Sequence, residues 1–530
     1  MGITMRWICL LCITLSFLPA DAVELPDGTA VAVTETKILD LPSPFEAYVS
    51  PDGRQFMLQV NDGGDKYHFW YHGVQSPTYN GGPDVDSSPG GQHFLYTVVQ
   101  KDHVEYYRGV DATPLPKSVF NVCYSPGDKR VAYINHLKDG QSVTIDGVDG
   151  PVYPEVENVW WSRTGAHYRY RYYSVNGQRL IIDGQEWMNG AVPLGRWEAF
   201  TPDEKHLLVA AQERDGDYLY EDTKRKWGPW PHDSIRQGFI SNDSRQVALL
   251  MITPNRSPAR NAGEEVREYY ITLSGKAGTH YREISSFQFS PDSMHYAYLG
   301  KTATGKMAVV LDGKEILGCA LATDMEFSPD SHQLAFFASQ ESESFHNDFY
   351  RYQLRARKMV VRKHAKNMAG GERIAFSTDG QHWAYGACEQ IPNPRPKPRD
   401  DEAMERHGLT HDDRDALPWF PTLNTGLVIS SDDTQKKKMG PTPRFFSGIR
   451  IIGFSPDGHL LSIADDGPGD QLYIDNIPVT RFKDTFTSAS SPVFIISPAL
   501  YHLYTVKSEK GPDGKPLFSL IRLEVRLTKQ

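Results

Sequence analysis

Cysteine is scarce. The 530 residues hold five, and Cys9 and Cys12 fall within the first 22, leaving Cys123, Cys319 and Cys388. An odd, sparse set excludes a disulfide framework, and Cys123 and Cys388 sit inside strand-like patterns where a small buried hydrophobe is the simplest role. Beyond Leu18 no apolar run approaches the length of a membrane-spanning helix, and the mean hydropathy is -0.48. A basic excess is also missing: 56 Lys and Arg against 66 Asp and Glu give a net charge of -10, which argues against a nucleic-acid surface. No Gly-x-Ser-x-Gly nucleophile elbow occurs, and no acidic stretch completes a calcium-loop pattern.

The first 22 residues read as a segment apart. Arg6 precedes an apolar run from Trp7 to Leu18, and Ala20-Asp21-Ala22 supplies the small residues of a cleavage site. The expectation is a signal peptide over 1–22, a mature chain from Val23 with no integral membrane span, and a periplasmic or secreted location.

What fills the rest is one small hairpin written many times. Gly453-Phe454-Ser455-Pro456-Asp457-Gly458-His459-Leu460-Leu461 is a strand, a tight turn and a second strand. Ser at the first turn position can bond the backbone ahead of it, Pro pre-sets the second position, and Gly suits the fourth. Copies or degraded copies begin at residues 50, 88, 125, 162, 201, 241, 290, 328, 377, 455 and 497, mostly 37 to 42 residues apart. A period near 38 with longer intervals is a repeat array carrying insertions. About 21 residues after the turn serine a second hairpin signal follows an apolar run, as in Asp146-Gly147, Asp183-Gly184 and Asp312-Gly313. Each repeat therefore reads as strand A, Ser-Pro-Asp-Gly turn, strand B, loop, strand C, Asp-Gly turn and strand D. The predicted fold class is all-β, a β-propeller of about eleven four-stranded blades.

The ends and the grouping make further expectations. Ala30 to Ile38 forms a strand with no partner of its own, whereas the last repeat stops after its third strand, near Phe518 to Leu527. Pairing the two ends would remove exposed sheet edges. Eleven blades exceed the usual limit for one ring. Two packed propellers, repeats 1–6 over 23–285 and repeats 7–11 over 286–530, are the preferred arrangement, with one large ring as the alternative that terminal pairing favours.

The Phe-Ser-Pro-Asp-Gly copies at Phe289–Asp292, Phe327–Asp330 and Phe454–Gly458 resemble the TolB-type, WD-repeat-like propeller family, whose repeat also occurs in prolyl oligopeptidase relatives. The resemblance runs from about residue 30 to 528. It implies the architecture and little about activity, because the parts that act in those relatives, an extra α/β domain or a hydrolase domain, have no counterpart here.

If turns A-B and C-D share one end of the blades, loops B-C and connections D-A share the other. The long insertions, Pro254 to Glu265, Ser339 to Asp348 and the Pro-rich stretch within 389–425, all fall on the B-C end. Binding function concentrates in loops on a rigid scaffold. The candidate ligand-binding residues are accordingly His407, His411, Asp412, Asp413, Trp419, Phe420, His346 and Arg256. A solvated loop anchored by aromatics outweighs a metal site there, since metal geometry needs converging, supported ligands. Acidic hairpins such as Asp62 to Asp65, Asp215 to Asp217 and Asp465 to Asp470 leave calcium open, although Asp and Gly are ordinary turn residues. No cofactor and no metal are expected. His295, His332, His382 and His459 recur just after the turn, which marks a blade-edge position rather than a ligand set. Trp160, Trp161, Trp187 and Trp197 read as packing residues.

These signs point to an exported, non-enzymatic scaffold that binds a protein, peptide or cell-envelope component through its B-C end. The alternative is a hydrolase or lyase acting on peptide or polysaccharide at that end or in the central channel.

Overall fold

The computed structural model describes residues 23–529 apart from 26, 72, 81–84, 100–103, 109–112, 115–118, 176, 188–190, 254–266, 342–345, 365–367, 393–421, 432–436, 443–448, 466–469, 476, 483–492, 498 and 511–514. The described residues form strands and turns with no helix, arranged as eleven antiparallel sheets. The chain is an all-β propeller-type protein built from four-stranded units.

The third repeat shows the plan. Val119–Tyr124, Val131–Leu137, Gly140–Ile145 and Val148–Tyr153 pair in that order. The local chemistry of the turns explains why each unit folds so. At the seventh repeat Ser290 Oγ donates to Asp292 Oδ1 at 2.6 Å and accepts from His295 N at 2.9 Å, while Ser293 N donates to Ser290 O at 2.8 Å. The fourth turn position is left-handed, at φ 66° for Gly53 and 64° for Ser293. The second hairpin puts both Asp312 (49°) and Gly313 (74°) in the left-handed region, the turn whose twist matches the flanking strands.

Strands B and C are covered on both faces, so they read as continuous apolar runs rather than alternations. Leu207, Leu208, Val209, Ala210 and Ala211 are successive and all buried. Neighbouring sheets then pack through shared apolar clusters. Ile134 and Val143 of repeat 3 meet Val159 and Tyr170 of repeat 4, Leu180 of repeat 4 meets Val209 and Tyr220 of repeat 5, and Leu219 meets Leu249 and Met251 of repeat 6.

The terminal strands close the last unit as expected. Thr29–Leu41 pairs along Pro516–Lys529, from Thr29 opposite Lys529 to Leu41 opposite Phe518, so the sheet takes strands A, B and C from the end of the chain and its fourth from the beginning. One face packs on Leu461, Ile463 and Leu472 of repeat 10, and the other on Ala47, Val49 and Leu58 of repeat 1. Across residues 280–286 the packing continues without a break: Ala248, Ile271 and Tyr281 of repeat 6 share a cluster with Tyr298, Ala308 and Val310 of repeat 7. Among the described residues no apolar cluster joins repeat 1 to repeat 6 or repeat 7 to repeat 11. No helix among them is long and apolar enough to cross a membrane.

Candidate functional site

The two ends of the blades differ in how their polar groups are used. At the end carrying the A-B and C-D turns, the aspartate of each C-D turn is held from within its own repeat. Asp183 accepts from the His167 ring at 2.7 Å and from Tyr168 N at 3.0 Å, and Asp222 does the same with His206 (2.9 Å) and Leu207 N (2.9 Å). His295 with Asp312, at 2.8 Å, and His459 with Asp475, at 2.7 Å, repeat the pattern, and Arg130 takes the histidine's place opposite Asp146. His332 turns instead to Asp330 at 2.9 Å. His167, His206, His295 and His459 thus tie two turns of one repeat together, a bond beyond the blade-edge position expected from their spacing. Hydrogen bonding to Asp222 raises the His206 pKa, and hydrogen bonding to Asp475 raises that of His459.

A second set of bonds links each A-B turn to the next. The fourth turn residue reaches back to the preceding repeat: Ser244 Oγ accepts from Asp203 N at 3.1 Å, Ser293 Oγ from Asp243 N at 3.1 Å, and Ser331 Oγ from Asp292 N at 3.0 Å. At two places where the preceding turn has lost its own aspartate, the reaching residue is acidic. Ser88-Pro89-Gly90-Gly91 receives Asp128, which accepts from Ser88 Oγ at 2.5 Å, Gly90 N at 2.8 Å and Gln92 N at 2.8 Å. Ser162-Arg163-Thr164-Gly165 receives Glu204, which accepts from Thr164 N and Thr164 Oγ1, each at 2.6 Å. At Gly380, a glycine in the fourth position, the approach is close: a Cβ there would stand 2.4 Å from Asp330 Cγ. The turn serines, aspartates and histidines named above are thus bonded to neighbouring turns.

The opposite end holds the insertions. Of the predicted site residues only His346 is described, and its Nε2 lies 3.3 Å from Asp348 Oδ1. His407, His411, Asp412, Asp413, Trp419, Phe420 and Arg256 lie outside the described residues. The hairpin that carries the longest insertion is paired up to its base, Pro392 opposite Thr422.

Beside His346 stands a group that spacing alone did not reveal. Asp348 opens strand C of repeat 8 and accepts from His364 N at 2.9 Å. His364 Nδ1 lies 2.6 Å from Asn347 O and Nε2 lies 2.8 Å from Tyr385 Oη. A carbonyl can only accept, so Nδ1 carries the proton, Nε2 is bare and the tyrosine donates to it. Burial pushes the His364 pKa down to about 4 and raises that of Tyr385, so both are neutral at pH 7. Tyr385 is fully buried, which makes this a link between sheets 8 and 9 rather than a reactive pair. Asp217 has the corresponding place in repeat 5, where it is fully buried, accepts from Ser234 N at 3.1 Å and has its pKa raised by burial.

Two interfaces carry a pair of arginines on a tryptophan. Between repeats 4 and 5, Arg169 and Arg171 stack on Trp160 with guanidinium carbons 4.8 and 5.2 Å from the ring centroid. Glu198 of repeat 5 enters between them: it pairs with Arg169 Nη1, accepts from Arg171 Nε at 2.8 Å, and has a side chain only 1% exposed. Glu157 takes Arg171 Nη1 at 2.8 Å. Between repeats 8 and 9, Arg351 and Arg362 lie 4.9 and 5.7 Å from the Trp383 centroid. Their hydrogen bonds go to Gln333 Oε1 at 2.8 Å and Ser430 O at 3.4 Å, neither of them an anion.

The other candidates take plain roles. Trp161 meets Arg130, Trp187 Nε1 donates to Asp222 O, and a Cβ on Gly238 would collide with Trp197. Asp62 is bound by His68 and Thr78, and Asp215 accepts from Tyr218 Oη at 2.7 Å. Cys123 and Cys319 form no disulfide, and burial pushes their thiols up to about 11. Among the described residues no group of three or more His, Cys, Asp or Glu is placed to hold a metal ion.

No family model matches the chain, and no curated protein matches it. Among solved structures, an oligogalacturonate lyase from Vibrio parahaemolyticus is 9% identical, covering 83% of this chain and 98% of its own at a TM-score of 0.26. BBS1N in complex with ARL6DN is 14% identical, covering 53% and 97% at 0.24. A eukaryotic initiation factor is 13% identical, covering 61% and 88% at 0.34. The lyase and BBS1N are propeller proteins; at these scores the likenesses carry no argument about activity.

Proposed function

We propose that the chain is an exported, non-enzymatic propeller scaffold that binds a protein, peptide or envelope component through the end bearing the B-C insertions. The observation that supports this reading is the asymmetry of the two ends. One spends its carboxylates, histidines and hydroxyls on turn-to-turn bonds, and the other carries the chain's long insertions on paired hairpins. A hydrolase or lyase would need a reactive group open to substrate. Of the described groups with strongly displaced pKa values, Cys123, Cys319, His364 and Tyr385 are buried or bonded to protein, and Asp203 is bonded to Thr201 Oγ1 within its turn.

The remaining parts of the reading are proposals of the same kind. The repeats are of the TolB, WD-repeat-like type; the eleven sheets form one ring, an arrangement to which the unbroken packing across 280–286 lends support; residues 1–22 are removed on export to the periplasm or exterior; and no cofactor is required. The test is capture of partners from an envelope extract by the mature chain, compared with a variant in which residues 393–421 are replaced by an Asn-Gly turn between Pro392 and Thr422. Loss of a specific partner in the variant, with unchanged thermal unfolding, is the expected result. A partner retained in full would overturn the assignment of the insertion, and turnover of a peptide or polysaccharide would overturn the non-enzymatic reading. N-terminal sequencing of the exported protein should begin at Val23.

A further inference from the structure

We infer that the interface of repeats 8 and 9 carries an oxyanion-binding site, in which the half-buried Arg351 and Arg362, backed by Trp383, take a ligand carboxylate or phosphate between them. The register of the outer hairpin of repeat 8 sets Phe349 opposite Arg362 and Arg351 opposite Val360. Arg351 and Arg362 are therefore diagonal neighbours on one face, a separation of roughly 7–8 Å along the pair. Both address one ring, at 4.9 and 5.7 Å, and that ring is itself buried at 6% exposure.

Two guanidiniums brought together over an apolar floor repel each other and lose water, and what normally offsets this is a carboxylate. The interface of repeats 4 and 5 shows the completed form: Arg169 and Arg171 on Trp160, with Glu198 between them. At repeats 8 and 9 the ion pair is missing among the described residues. Arg351 donates to the neutral amide oxygen of Gln333 and Arg362 to the Ser430 carbonyl. Asp348, on the same strand as Arg351, is turned to His364 N and His346. Tyr385 and His364 add no charge, since both are neutral. Burial, and after it the charge of Arg362, draw the Arg351 pKa down, as burial also does for Arg169 at the completed interface, so it is the hydrogen-bond partners that tell the two interfaces apart. Planar guanidiniums with donors left over suit an anion that offers two or more acceptor oxygens.

This inference stands apart from the reading of the insertion-bearing end, because its probes are small anions and its variants lie outside the insertions. The experiment is thermal unfolding and calorimetric titration of the mature chain with sodium phosphate and, separately, sodium succinate, against sodium chloride at matched ionic strength. A saturable upward shift of the unfolding midpoint by phosphate or succinate beyond chloride is expected. Response to succinate assigns a carboxylate ligand, and response to phosphate alone assigns a phosphate. Arg362→Gln should weaken the apparent affinity at least tenfold. Gln333→Glu, which puts a carboxylate against Arg351, should raise the midpoint without added anion and abolish the response; it decides the matter even if an arginine variant does not fold. Equal shifts with chloride, or a full response in both Arg362→Gln and Gln333→Glu, overturn the site.

Discussion

The interface of repeats 4 and 5 and that of repeats 8 and 9 use the same three groups and differ in a fourth. Each stacks two arginines on a tryptophan, at 4.8 and 5.2 Å in one and 4.9 and 5.7 Å in the other, but among the described residues only the first receives a glutamate from the next repeat. In the first, charge is neutralised inside the protein and the assembly is structural. In the second, the described partners of the two cations are a neutral amide and a carbonyl. A repeat protein can thus convert a packing motif into a binding motif by omitting one residue from the neighbouring repeat.

The strongest way to break this comparison is to remove the charge that completes the first interface. Glu198→Gln leaves two guanidiniums, 14% and 11% exposed, without their shared carboxylate. Uncoupling a buried ion pair on one side costs about 3–5 kcal/mol, so this variant should show the largest loss of stability, read as a fall in the denaturation midpoint. A neutral outcome would mean that Glu198 is not the counter-ion, and the contrast with repeats 8 and 9 would fail.

The second effect in size is a pH dependence that belongs to the incomplete interface. His364 is folded with a pKa of about 4 against an ordinary 6.5, because burial disfavours its charged form. The unfolded chain therefore binds the proton first. The stability that His364 contributes is present above pH 6.5 and is lost as the pH falls toward 4, on the order of 2–3 kcal/mol in all. His459 works in the opposite sense: Asp475 raises its pKa, so its contribution is complete below pH 6.5 and fades as the pH rises through the folded value. Chemical denaturation from pH 7.5 to 4.5 should show the acid loss shrink in His364→Gln. An unchanged profile would remove His364 from the account.

How much of this was readable in the sequence follows from the range of each interaction. Ser290, Asp292 and His295 bond within five residues of one another, so the turn and its blade stood in the one-dimensional text. The terminal closure was legible because two strands lacked local partners, and Thr29–Leu41 does pair with Pro516–Lys529. Asp128 and Glu204 were missed although a signal existed: each is an acid at the fourth turn position, in the copy following one that lacks aspartate at the third. The Glu198 triad, the His364 to Tyr385 link and the Arg351 to Arg362 pair were not legible, because each depends on which faces neighbouring sheets present to each other. Those faces are set by register and twist rather than by spacing.

Asp128 extends the comparison to the turns, where the next repeat again supplies a missing charge. Asp128→Asn keeps the shape but weakens an acceptor that serves Ser88 Oγ, Gly90 N and Gln92 N. Hydrogen bonds to an ionised group are worth about 1.5–3 kcal/mol before the amide's partial replacement, so a loss of about 1–2 kcal/mol is expected in equilibrium denaturation. The paired control, Gly90→Asp, should not supply the lost acceptor, since a Cβ at Gly90 would stand 2.8 Å from Asp128 Oδ2.

The smallest effect is the most discriminating, because it asks for near silence where an arginine on a buried aromatic would ordinarily be costly to remove. Arg351→Met gives up the Trp383 contact at 4.9 Å and the Gln333 bond, worth about 0.5–1 kcal/mol for the stacking. It also relieves the repulsion from Arg362 and the burial of an unpaired cation, and strands no carboxylate. The two contributions oppose each other, so the change should stay within about 1 kcal/mol in anion-free buffer. Arg171→Met, by contrast, strips one partner from both Glu198 and Glu157 and should destabilise clearly. If the two substitutions cost the same in anion-free buffer, Arg351 has a structural counter-charge after all, and repeats 8 and 9 meet in a second completed interface rather than an open one.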